Sequence, residues 1–137
     1  MARILAIDYG RRRTGLAVSD PLQLIAGALA TVETKELERW LADYFRREEV
    51  STIVLGKPTQ MNGQPSETWR YIEPLAGRLR HAYPDKEVVF YDERFTSVLA
   101  HRALIDGGMK RSDRRDKAVV DKIAATIILE DYLQYRQ

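Results

Sequence analysis

The chain has no cysteine and only two histidines in its 137 residues, His81 and His101. The first lack excludes a disulfide framework, a zinc–thiolate site and a thiol nucleophile together. The second removes serine–histidine chemistry, because both histidines fall on helix positions expected to face solvent. Long apolar runs are missing as well. The stretch from Ile4 to Ile7 is broken at once by Asp8, and no later run is long enough to span a membrane. Neither a signal peptide nor an anchor is therefore expected. Repeats, low-complexity tracts and linkers do not interrupt the sequence. What remains is an ordinary balance of 45% hydrophobic and 31% charged residues. That balance fits one soluble domain over residues 1–137, with the cytoplasm as the expected compartment.

The formal net charge is only +2, but the basic residues are unevenly distributed. Most are arginine, the better group for bidentate phosphate contacts. They clump first at Arg11-Arg12-Arg13, then between residues 94 and 117, where Arg94, Arg102, Lys110, Arg111, Arg114, Arg115 and Lys117 face three aspartates. A solvated surface would account for either clump alone. Two clumps flanking candidate active-site acids point to a polyanionic partner.

The order of elements follows from hydrophobic period. Residues 3–7 read as a buried strand, 15–19 as a second and 22–32 as a third, bent near Gly27. Short connections make these three an antiparallel meander. Leu37, Trp40, Leu41, Tyr44 and Phe45 then fall at helical spacing, with Thr34 placed to cap. Residues 52–55 form a strand ending at Gly56. Ser66 opens a helix whose apolar face is Trp69, Ile72, Ala76 and Leu79, and Pro74 inside it predicts a kink or two shorter helices. Residues 87–91 make a fifth strand, a short helix runs from Thr96 to Gly107-Gly108, and a long one from about 114 to 135. The sum is an α/β fold: a five-stranded mixed sheet, three antiparallel strands then βα units, with helices on both faces. Its central strand would be the first, with Asp8 at the carboxyl end where open α/β sheets place their sites.

Three acids stand out. Asp8 closes the first strand before the flexible Tyr9-Gly10; it could start the turn or hold a cation. Glu93 lies just past the fifth strand, and alternation sets it opposite to its neighbour Asp92, so only one of the two can face a given site. Asp121 sits in a helix apolar nearly all round, where a carboxylate needs either an arginine or a cation. Three converging carboxylates repel and cannot all stay ionised unless divalent cations neutralise them. Oxygen-only ligands favour Mg²⁺ or Mn²⁺, and two such ions could clamp a phosphodiester undergoing displacement.

Four motifs carry a family resemblance. The stretch Asp8-Tyr9-Gly10-Arg11-Arg12-Arg13-Thr14-Gly15-Leu16-Ala17-Val18-Ser19-Asp20 resembles the opening motif of the YqgF/RuvX family. Leu55-Gly56-Lys57-Pro58 with Asn62-Gly63 is similar to its mid-chain loop, and Asp92-Glu93-Arg94-Phe95-Thr96 to a later segment. Asp121-Lys122-Ile123-Ala124-Ala125-Thr126-Ile127-Ile128-Leu129 resembles its C-terminal helix motif. The resemblance implies an RNase H-like fold, kinship with RuvC-type Holliday-junction resolvases, and a nuclease maturing the 5′ end of pre-16S rRNA. It makes Asp8, Glu93 and Asp121 the catalytic, metal-binding acids. RuvC-type resolvases carry an acid at the end of the fourth strand, where this chain has Gly56-Lys57-Pro58, so Glu93 supplies that ligand from the fifth.

The expected activity is metal-dependent cleavage of structured RNA, with a ribosomal precursor or assembly intermediate as partner and Mg²⁺ or Mn²⁺ as cofactor. Candidate phosphate contacts are Arg11, Arg12, Arg13, Lys57, Arg94, Lys110, Arg111, Arg114 and Arg115. Two other readings keep the fold: a resolvase-like DNase on branched DNA, and a non-catalytic RNA-binding factor. A nucleotide-binding protein of the actin type would need two lobes, which this length does not supply. Whether the protein is a monomer or a dimer is not fixed by the sequence.

Overall fold

The first strand, β1 (Arg3–Asp8), and the fourth, β4 (Val50–Lys57), are nearly continuous in apolar residues, as strands covered on both faces should be. They pair in parallel, from Ile4 opposite Thr52 to Ile7 opposite Leu55. On the other side of β1, β2 (Arg13–Ser19) runs antiparallel, and β3 (Ala26–Glu33) runs antiparallel to β2. Strand β5 (Glu87–Asp92) closes the sheet in parallel with β4, giving the order β3-β2-β1-β4-β5. The expected mixed sheet forms, with β1 at its centre. This computed structural model describes residues 2–58, 66–93 and 116–136.

Helices α1 (Leu37–Arg47) and α2 (Trp69–Ala82) cover one face, and α3 (Asp116–Tyr135) covers the other. The alternation of β1 divides the core between them. Leu5 and Ile7 join Leu37, Leu41, Ile72 and Leu79 on the α1/α2 side. Ile4 and Ala6 meet Ala124, Ala125, Ile128 and Leu129 on the α3 side. Full burial of a side chain such as Ile128 or Leu129 contributes about 1.5–3 kcal/mol. Ala124 and Ala125, both buried, bring the α3 backbone close to the sheet.

Five local expectations are corrected. The third strand starts at Ala26, not at residue 22. Residues 20–25 are instead a turn, in which the Asp20 carboxylate accepts hydrogen bonds from the backbone N–H of Leu22, Leu24 and Ile25 at 3.1, 2.8 and 2.7 Å. The bond from Ile25 is the main cause of an Asp20 carboxyl held below its ordinary range. The irregularity in β3 lies opposite Leu16 and Ala17, past Gly27. Thr34 does not cap α1: it opens a 3-10 turn, and its hydroxyl binds the Gly10 carbonyl and the Thr14 hydroxyl, tying down the β1–β2 turn. Helix α2 begins at Trp69 without a side-chain cap from Ser66 or Thr68 and runs unbroken through Pro74. Proline there forfeits only the bond to the Arg70 carbonyl, on an exposed face where water can replace it. His81 is exposed on α2 as expected. The helix expected from Thr96, and His101 on it, lie outside the described residues. Among the described residues, no helix is long and apolar enough to cross a membrane.

Candidate active site

The β1–β2 turn sets the geometry. A Cβ at Gly10 would lie 2.3 Å from the Arg13 carbonyl oxygen, so the turn after Asp8 is too tight for any side chain there. Beyond it, β2 returns with Gly15 directly opposite Asp8. Because Ile7 is opposite Leu55, Gly56 is the next residue of β4 alongside Asp8. One carboxylate thus stands between two glycines on three adjacent strands.

Each glycine receives an acid from another element. A Cβ at Gly15 would lie 2.0 Å from the backbone oxygen of Asp121 and 3.1 Å from its Cβ, so α3 rests on β2 at this point. A Cβ at Gly56 would lie 2.9 Å from Oε1 of Glu93 and 2.8 Å from Cδ1 of Ile128. Ile128 belongs to the α3 core, which fixes the face that Glu93 occupies. Strand alternation puts Asp8 on that face too, two residues beyond Ala6. Asp8 is 6% exposed and Glu93 1%. Asp92 points the other way, in register with Lys57. Of the neighbouring acids at the end of β5, Glu93 is the one facing the other two.

Asp121 is less deeply placed, its side chain 23% exposed, and it accepts a hydrogen bond from Nε of Arg13 at 3.1 Å. The arginine that a carboxylate on this helix calls for is therefore present, one strand-turn away from Asp8. Among the described residues, no three His, Asp or Glu side chains stand close enough together to enclose a metal ion. The three acids share a face and an edge of the sheet, with Asp121 turned to Arg13.

The other expected contacts are dispersed. Arg11 and Arg12 are exposed in the β1–β2 turn, near Glu33 and Lys35. Lys57 lies on the α2 face, its Nζ 4.9 Å from the ring centre of Trp69. Arg94, Lys110, Arg111, Arg114 and Arg115 lie outside the described residues. The sequence places Trp69 on the apolar face of α2 but leaves Arg70 and Tyr71 unremarked; the rings of Trp69 and Tyr71 carry Lys57, Arg70 and Arg11. The signal available was the interleaving of aromatic and basic residues at the start of a helix.

The family described as "RuvX: Holliday junction resolvase" matches residues 2–135 of the chain. The chain belongs to the RuvX family. A protein of Phocaeicola vulgatus named "Putative pre-16S rRNA nuclease" is 54% identical over 137 residues, covering 100% of this chain and 99% of its own. One of the same name from Porphyromonas gingivalis is 52% identical over 133 residues, 97% of this chain and 96% of its own. Among solved structures, Thermus thermophilus RuvC in complex with a Holliday junction substrate superposes with a TM-score of 0.57 at 18% identity, covering 99% of this chain and 96% of that one. That likeness shows the fold, the RNase H-like arrangement that RuvX-family motifs implied. The glycines pressed against Asp121 and Glu93 both lie inside those motifs.

Proposed function

We propose that this protein is a divalent-metal-dependent nuclease that cleaves structured RNA, acting in the 5′-end processing of pre-16S rRNA during ribosome assembly in the cytoplasm. The observation that carries the reading is the convergence on Asp8: two flanking strands hold glycine where α3 and β5 bring Asp121 and Glu93 onto the same face. The name shared by relatives at 54% and 52% identity supports RNA as substrate.

The donor set is all carboxylate oxygen, which suits Mg²⁺ or Mn²⁺ and not a thiophilic ion. Asp8, Glu93 and Asp121 would hold the metal, which when bound supplies an activated water and offsets charge at the phosphate. Asp8 and Glu93 are buried on the face that α3 covers, where a bound cation would offset the cost of keeping carboxylates ionised. Arg13 occupies Asp121 until a cation competes for it. Arg13→Gln is accordingly expected to tighten Mn²⁺ binding, by up to about fivefold, because a partly exposed pair of this kind contributes roughly 0.2–1 kcal/mol. Titration of the ion against both proteins checks this, and weaker binding in the variant would contradict it.

Arg11, Arg12 and Arg94, with the basic segment Lys110, Arg111, Arg114 and Arg115, would contact phosphates flanking the bond to be cut. Replacing the last four by alanine is expected to reduce the slope of log K against log[salt] by about 0.7 per lost contact on single-stranded RNA. An unchanged slope would leave Arg11–Arg13 as the substrate arm. The deciding assay offers purified protein, with Mg²⁺ or Mn²⁺ and with chelator, to 5′-extended 16S precursor RNA, unstructured RNA and a four-way DNA junction. Metal-dependent cleavage of the precursor is expected. Cleavage of the junction alone would favour a resolvase, and binding without cleavage a non-catalytic RNA factor.

A further inference from the structure

The α2 face of the same sheet edge carries a cluster that the carboxylates do not use. The Arg70 guanidinium donates to the Tyr71 hydroxyl at 3.0 Å and lies 5.1 Å from the Tyr71 ring centre. Arg11, three residues beyond Asp8, comes to 5.2 Å from the same ring. Two residues earlier in α2, Trp69 carries Lys57 4.9 Å over its ring and is braced edge-on by Phe90 at 4.8 Å. The hydrogen bond from Arg70, with the nearby charge of Arg11, pulls the Tyr71 hydroxyl below its ordinary range. Among the described residues, neither Arg11 nor Arg70 is in an ion pair, and both are exposed.

We propose that Tyr71 and Trp69, with Arg11, Arg70 and Lys57, form a stacking platform for an unpaired RNA strand leading to the carboxylate site. The choice of ligand rests on the nuclease reading above. The position follows from topology: Lys57 ends β4 and Arg11 follows β1, so the platform and Asp8 share the carboxyl edge of the parallel strands.

Relative strengths explain how such a platform is loaded. A base stacked on an aromatic ring is held more strongly than an exposed cation over the same ring. A base therefore displaces a guanidinium from the Tyr71 ring, and the released guanidinium binds the adjoining phosphate. A duplex gains nothing from the exchange, because its bases are already stacked on one another. The platform thus selects unpaired nucleotides beside the bond to be cut.

Trp69 provides its own reporter. The chain has two tryptophans, and Trp40 stands apart on α1, stacked on Tyr44. In a Trp40→Phe background, with chelator present to prevent cleavage, a short single-stranded RNA is expected to quench Trp69 emission and its perfect duplex to leave it unchanged. Anisotropy of labelled RNA with the otherwise native protein gives affinities independently of that background. Tyr71→Ala is expected to weaken single-strand binding by about tenfold or more with duplex binding within about twofold, and Tyr71→Phe to restore it. Equal loss on strand and duplex, no quenching, or failure of the Phe variant to rescue would each overturn the platform. Tighter binding of a DNA strand of the same sequence would overturn the RNA assignment. Because no measurement here requires cleavage, a protein that binds in this way but does not cut would refute the nuclease reading and leave the platform standing.

Discussion

Asp8→Asn is expected to abolish metal-dependent cleavage, by more than about a hundredfold, while the protein melts close to the wild-type temperature. The two effects differ for one reason. Asp8 and Glu93 are both buried at the carboxyl edge of the sheet, on the same face. An amide of the same shape keeps the packing and removes one of two like charges buried on this face, so the metal-free fold is expected to lose little. The same amide donates where a cation needs an anionic oxygen. Glu93→Gln should behave alike. Asp92→Asn should be far milder, because Asp92 is in register with Lys57 on the opposite face. Thermal melts with and without Mn²⁺, alongside cleavage of the precursor RNA, separate the effects. Full activity in the Asp8 variant would remove it from the catalytic set.

Gly15→Ala is expected to be the most destabilising glycine-to-alanine change among the described residues. The added Cβ would stand 2.0 Å from the carbonyl oxygen of Asp121 and 2.4 Å from its carbonyl carbon. The obstruction is helix backbone, which cannot rotate away as a side chain does, so α3 must lift from β2. Overpacking of this kind typically costs about 1–3 kcal/mol, and this site should lie at the top of that range or beyond it. Moving Asp121 by about 1 Å could also lower the rate on the order of a hundredfold. Gly56→Ala provides the contrast. Its nearest obstacles, Ile128 Cδ1 at 2.8 Å and Glu93 Oε1 at 2.9 Å, are side-chain ends that can turn aside. Its stability loss should be smaller than its loss of activity, because the atom displaced is the Glu93 carboxylate. Denaturant unfolding and cleavage rates for the pair test this directly. Wild-type stability in the Gly15 variant would show that α3 does not press on β2 there.

The sheet order was legible in hydrophobic pattern and connection length. Strands buried on both faces carry apolar runs, and Ile4–Ile7 of β1 and Ile53–Leu55 of β4 show it; alternation alone set Glu93 opposite to Asp92 at the end of β5. The sequence also singled out Asp8 and Asp121, because a charge that ends a buried strand or interrupts an apolar helix is conspicuous in one dimension. Turn chemistry was harder to read. The apolar residues Leu22, Leu24 and Ile25 mimic a strand, yet the Asp20 carboxylate gathers three of the turn's backbone N–H groups and delays β3 until Ala26. Which groups meet across the fold was not legible in one dimension. An α3 apolar nearly all round presents more than one possible inner face, and packing added Ile128 and Leu129 to the small Ala124 and Ala125 against the sheet. Gly15 and Gly56 read as ordinary strand glycines until an acid from a distant element is found resting on each. The Arg13–Asp121 pair joins residues 108 positions apart, and the stack of Arg11 on Tyr71 spans two elements in the same way. Periodicity reports how one segment meets its own surroundings; the convergence of separate segments on Asp8 is a property of the sheet order and of the close approach that two missing side chains permit.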